Sequence, residues 1–147
     1  VPLARLFAMA YRDLIDGLHA RLAERGWPDV RPAFGFVLLA VREQPRTATE
    51  LAARLGTTKQ AASKLVGAMA DAGYLAHRAH PGDSRAKLAT LTVRGQRLLA
   101  VVEEIYRELE AHWADVIGRA GVEALRDHLG TVLRATHGGR LPAIRPG

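Results

Sequence analysis

Two clusters of polar side chains in this sequence have the types and spacing for holding anions. The first is Lys59, Gln60, Ser63 and Lys64, set at helical steps within TTKQAASKLV. The second surrounds HPGDSRAKLATLT, His80 to Thr92, where Arg78, Arg85 and Lys87 flank a Pro-Gly-Asp turn. Ammonium and guanidinium groups neutralise phosphate oxygens, while amides and hydroxyls can bond the edges of bases. Covalent or acid-base chemistry would need a converging constellation, and none assembles. The histidines are His19, His77, His80, His112, His128 and His137, and none forms an i, i+4 helical pair with a carboxylate at metal-ligand spacing. His77 and His80 flank the basic turn and read as surface or phosphate contacts. His112, beside Trp113 among Glu108, Glu110 and Asp115, reads as part of a solvated face. The absence of cysteine excludes disulfides, thiolate metal sites and cysteine redox sensing. No glycine-rich loop has phosphate-binding spacing, and no Ser or Thr has a base at a recognisable offset. The expectation is a protein that is not an enzyme and needs no metal or cofactor.

The charge distribution supports an anionic partner. The net charge is +6. From Arg42 to Arg97 there are ten Lys and Arg against four Asp and Glu, so the rest of the chain is neutral. A merely solvated surface would scatter its charge, whereas this segregation suits a polyanion. The 147 residues and 48% apolar content fit one globular domain that folds without staples. Arg5, Arg12, Asp13 and Asp16 interrupt the first apolar segment, so no secretory leader is expected. The run AFGFVLLAV, Ala33 to Val41, is far too short to span a bilayer. A cytoplasmic protein without membrane attachment is the resulting expectation.

Elements that must position these clusters follow from periodicity. Leu3, Phe7, Ala10, Leu14, Leu18 and Leu22 predict a helix from Leu3 to Arg25, stopped by Gly26 and Pro28. A second, deeply buried helix is predicted from Pro32 to about Glu43, ended by Gln44-Pro45. Thr47-Ala-Thr-Glu50 has the form of a capping box opening a short helix that ends near Gly56. Thr57-Thr-Lys-Gln60 repeats the form and opens a helix running to Ala72-Gly73. Small Ala52 lets the two helices approach, and Leu51, Leu55, Ala62, Leu65 and Met69 supply their shared core. A plain helical hairpin would leave Lys59, Gln60, Ser63 and Lys64 unexplained, and strands follow instead of a third helix. Those strands are predicted over Tyr74 to Arg78 and Lys87 to Leu91 around the basic turn. A helix-turn-helix followed at once by such a hairpin is a winged helix. Thr92 caps a long helix to about Ile117, broken by Gly118 and Gly121. Val122 to Thr136 forms the last helix, with Leu125, Leu129, Val132 and Leu133 inward. The tail GGRLPAIRPG is expected to be frayed or disordered. The fold class is mainly α: a winged helix-turn-helix with a two-stranded β wing between N- and C-terminal helices.

In this order of elements the chain resembles the MarR family, the multiple-antibiotic-resistance-type transcriptional regulators, from Leu3 to Thr136. Local matches are ELAARLGTTKQAASKLV, then Gly73-Tyr74-Leu75, then Asp83-x-Arg85-x-Lys87, then LTVRGQRLL. The resemblance implies a single domain over 1–147, with a DNA-binding winged-helix lobe at 32–97. Dimerisation helices at 1–26 and 98–136 and a tail at 137–147 complete it. It implies a homodimer on a palindromic operator in double-stranded DNA, with the recognition helix in the major groove and the wing in the minor groove. The residues carried over to DNA binding are Thr57, Thr58, Lys59, Gln60, Ser63, Lys64, Asp83, Arg85 and Lys87. Many members respond to small aromatic or anionic effectors in a cleft between the dimer helices and the lobe. Tyr11, Trp27, Phe34, Phe36 and Trp113 are the candidates here, and each also reads as ordinary core. The rival is a non-catalytic protein-interaction module whose positive face meets an acidic protein.

Asp83 is the odd charge in the basic turn. A carboxylate two residues from Arg85 can aim the guanidinium outward and spare up to about 2 kcal/mol of rotamer entropy on docking. It can equally build the turn by bonding the backbone. The two readings are compatible, and aiming is favoured.

Overall fold

A computed structural model describes residues 1–146. Helix α1 spans Leu3–Glu24, α2 Pro32–Glu43, α3 Ala48–Leu55 and α4 Lys59–Asp71. Strands β1, Leu75–His80, and β2, Asp83–Leu91, form an antiparallel hairpin; α5, Val93–Ile117, and α6, Arg119–Thr136, complete the chain. Helix α2 lies deepest, with Phe34, Val37, Leu38, Ala40 and Val41 buried against Leu51, Leu55, Met69 and Leu98. Among the described residues no helix is long and apolar enough to cross a membrane.

Local chemistry sets the boundaries. Thr47 caps α3 by accepting the Glu50 N–H at 3.1 Å, and Gly56 closes that helix in the left-handed region at φ 70°. Helix α4 is capped by Thr58, one residue later than the Thr57 box predicts, through the Ala61 N–H at 3.1 Å. Gln60 is therefore not bound to a cap. Only Gly118, at φ 81°, separates α5 from α6. Gly121 lies inside α6, whose start is three residues earlier than expected because the left-handed glycine alone makes the corner.

The wing is held at its base by three devices. The Thr92 hydroxyl donates to the Gly73 carbonyl at 2.5 Å and accepts the Gly95 N–H at 3.0 Å, joining the end of α4 to the start of α5. The Arg94 guanidinium stacks over Trp27 and Tyr74, 4.8 and 5.1 Å from the ring centroids, and its Nε donates to the Ala72 carbonyl. Arg46 is the third. Its backbone pairs with Ala89 as a single bridge beside β2, and its buried side chain donates to the Ala40 carbonyl at 2.7 Å. Glu43 joins Arg46 and Arg54 at 2.7 and 2.5 Å.

Helices α1 and α5 pack against the winged-helix lobe through Leu18, Leu22, Leu98 and Leu99, and α6 packs on α5. Arg25 of α1 pairs with Glu108 of α5 at 2.5 Å, and Arg126 of α6 with Glu110. Only Val122 of α6 is buried: Leu125 and Leu129 are half-buried, but Val132 and Leu133 are exposed rather than inward. Leu3, Leu6, Phe7 and Met9 of α1 are exposed as well. Beyond α6 the chain turns at 137–140 and then runs back over the body without helix or strand. Leu141 lies along a groove with Trp113 and Leu133, and Ile144 reaches the cleft between α1, α2 and α5. The segment expected to fray thus makes contacts through residue 144; its last residue, Gly147, lies outside the described residues.

Candidate nucleic-acid interface

Helix α4 buries Ala62, Val66 and Met69, and this fixes which side chains face outward. Lys59 and Ser63, one turn apart, point toward the wing, while exposed Gln60 and Lys64 form the adjoining row on the free face. Strand β2 brings Arg85 and Lys87 to the other side. Between helix and wing lies a groove of about 230 Å³ lined by Lys59, Ser63, His77, Arg85 and Lys87, with Arg46 and the α3 N-terminus, Thr47 to Thr49, at one end. No carboxylate lines this groove among the described residues. Lysine, arginine and hydroxyl donors around one concavity make a seat for an anionic backbone.

Of the nine residues carried over from the resemblance, Lys59, Ser63, Arg85 and Lys87 share the groove, and Gln60 and Lys64 stand beside it. Thr57 and Thr58 sit exposed at the start of α4, where the Thr58 hydroxyl already serves the cap. Asp83 lies at the wing tip. Its Oδ1 accepts the Arg85 backbone N–H at 2.9 Å, the Asx turn, and among the described residues it forms no ion pair with the Arg85 guanidinium. The geometry is that of the turn rather than of side-chain aiming. Gly82 is not in the left-handed region; its N–H instead donates to the His80 ring Nδ1 at 3.0 Å, so two side chains build the tip.

Arg46, Thr47 and Thr49 of the groove went unrecognised as contributors, whereas His77, expected as a surface or phosphate contact, lines it. The Arg46–Ala89 bridge is one residue long and leaves no alternating pattern to read. His77 faces the groove because β1 starts at Leu75, which is buried, and the pleat returns two residues later.

A separate, mainly apolar cleft of about 100 Å³ opens between α1, α2 and α5. Tyr11 and Phe36 line it, joined by Tyr106, with His19, Arg31 and Glu103 as its charged or titratable groups. Burial pushes the Tyr106 phenol up to about 12. The other three aromatic candidates are elsewhere. Phe34 and Trp27 pack on Tyr74 with ring centroids 6.0 and 6.1 Å away, and Trp113 lies in the groove beneath α6. Aromatic type alone could not distinguish core from cleft, because both need rings on α1, α2 or α5.

Comparison with known proteins agrees with this architecture. Residues 35–86, from α2 to the wing, match the model of the MarR family. Wild-type MarR from E. coli in its apo form is similar over 90% of this chain and 97% of its own, at 23% identity and a TM-score of 0.77. RV1404 from Mycobacterium tuberculosis aligns over 94% of this chain and 93% of its own, at 22% identity and 0.76. The transcriptional regulator BldR from Sulfolobus solfataricus aligns over 90% and 93%, at 24% identity and 0.66. No curated protein matches in sequence. Residues 35–86 are thus similar to the MarR family, and the chain as a whole shares the fold of these solved structures.

Proposed function

We propose that this protein is a sequence-specific transcriptional regulator, acting as a repressor, that binds a palindromic operator in double-stranded DNA as a homodimer. The observation that carries the reading is the carboxylate-free groove, in which α4 and the wing present cations and hydroxyls from two sides. Helix α4 would enter the major groove, with Gln60 and Lys64 reading base edges and Lys59 and Ser63 holding phosphate. Thr57 and Thr58 would approach the backbone at the α4 N-terminus. Arg85 would reach the minor groove, with Asp83 holding the turn and Lys87 on the backbone. Among the similar structures, one is described as a transcriptional regulator and another as a multiple antibiotic resistance repressor.

In this reading 32–97 is the DNA-binding lobe, 1–26 and 98–136 are the dimerisation helices, and 137–147 is a tail. The exposed apolar residues of α1 and α6 are the surface a second copy would cover. The cleft at Tyr11, Phe36 and Tyr106 would take a small aromatic or anionic effector, with Arg31 or His19 as counter-charge. Selection of duplexes from a random pool, with sedimentation of the purified protein, tests the reading. The expected product is an inverted repeat with half-sites about one helical turn apart, bound by a dimer. Equal affinity for every duplex would instead favour an interaction module that meets acidic partners.

A further inference from the structure

We propose that His77 is a proton-linked phosphate contact, so that DNA binding is coupled to proton uptake at this ring and tightens on acidification. The inference rests on the DNA-binding reading above and adds a pH dependence to it. His77 pairs with Ala89 across the hairpin, and Ala89 pairs in turn with Arg46. Three adjacent segments of the chain therefore bring His77, Ala89 and Arg46 side by side at one end of the groove. The groups facing His77 can be named from every element around it. Helix α4 contributes Lys59 and Ser63, β2 contributes Arg85 and Lys87, and the approach to α3 contributes Arg46 and Thr47. Arg46 is already paired with Glu43, and the Thr47 hydroxyl caps α3. His77 is exposed and bound by no partner among the hydrogen bonds of the described residues.

The consequence is electrostatic. No carboxylate in the groove competes for an imidazolium, so the anion that would favour the charged ring is the one that enters from outside. A phosphodiester seated among Lys59, Ser63 and Lys87 would lie beside His77 and stabilise its protonated form. Proton uptake on binding then makes affinity rise as pH falls.

His80, three residues on, has the opposite chemistry. Its Nδ1 accepts the Gly82 N–H, so the neutral ring carries its proton on Nε2. The two wing histidines therefore differ in what they meet: His77 faces the groove without a partner among the described residues, and His80 accepts a backbone N–H at the tip.

The test is fluorescence anisotropy with the full chain and a labelled mixed-sequence duplex, at low salt in a phosphate-free buffer. With a ten-fold preference of the bound state for the imidazolium, affinity tightens about six-fold per protomer from about pH 8 to about pH 6. His77→Gln should be flat over this range, with the weaker, alkaline affinity. His77→Lys should be flat with the tighter, acidic affinity, because its charge does not titrate there. His80→Gln should keep the wild-type slope. A wild type with no slope, or a His77→Gln protein that keeps the full slope, overturns the proposal. A wild type that binds no duplex at either pH overturns the DNA-binding reading, and this inference falls with it.

Discussion

Replacing Gly95 with alanine should destabilise the protein, although alanine is the better helix former. Gly95 is buried in the first turn of α5, where the helix passes directly over the start of β1. An added Cβ would lie 3.2 Å from the Tyr74 carbonyl carbon and 3.2 Å from Leu91 Cδ2, and closer still to the Tyr74 carbonyl oxygen. That oxygen already accepts the Thr92 N–H at 3.2 Å and belongs to the backbone, so it cannot rotate away as a side chain would. Helix α5 must shift off the strand, at an overpacking cost of about 3 kcal/mol, against about 1 kcal/mol gained from propensity. The net loss of about 2 kcal/mol corresponds to a Tm lower by about 4–8 °C. Gly67→Ala in α4 is the matched control: a Cβ there meets nothing within 4 Å, so the same substitution should stabilise by about 0.5–1 kcal/mol. Thermal and urea unfolding of the two variants measure both signs. A Gly95→Ala protein as stable as wild type would refute the close approach of α5 to β1.

Three further outcomes follow from single contacts. Arg46→Met should cost about 2–3 kcal/mol in urea unfolding, because the buried Ala40 carbonyl loses a charged donor that the apolar chain cannot replace; a change under about 0.5 kcal/mol would show that water serves that oxygen equally well. Asp83→Asn should bind DNA nearly as well as wild type, since the amide oxygen can accept the same Arg85 N–H. A large loss, coupled to Arg85 in a double-mutant cycle, would instead restore the aiming role. The Tyr106 phenol, raised to about 12 by burial, should give a high-pH step in an absorbance titration that Tyr106→Phe removes. A raised folded value means that its contribution to stability is full below about pH 10 and is lost as pH climbs toward 12. Tyr106→Phe should flatten that alkaline decline, and an unchanged decline would place its cause elsewhere.

Much of this architecture was legible because its signals are local. The Thr47 box, Gly56 and Thr92 each act within four residues, and all three set the boundaries expected of them. The outward row of α4 could be read because burial of Ala62 and Met69 dictates its opposite. Signals that depend on partners far along the chain were not legible. Thr57 and Thr58 are equally good caps by type, and packing chose Thr58. Gly121 resembles a break by composition, yet the left-handed corner at Gly118 leaves the helix free to start before it. Trp27 and Phe34 resemble cleft residues as well as Tyr11 and Phe36 do, and only the position of Tyr74 separates them. Asp83 shows the same limit, since a sequence does not reveal whether a carboxylate meets a backbone N–H or a guanidinium.

The central claim is that the exposed face of α4 reads bases, and Gln60 tests it most directly. Its side chain is exposed, is not bound to the helix cap, and stands one residue from the groove that would hold phosphate. Affinities of wild type and Gln60→Ala should be measured across a selected operator and its single-base variants. The account predicts that wild type loses about 1–3 kcal/mol at one position of each half-site and that Gln60→Ala loses this discrimination there alone. A variant whose affinity falls equally for every sequence would contradict it, making Gln60 a backbone contact.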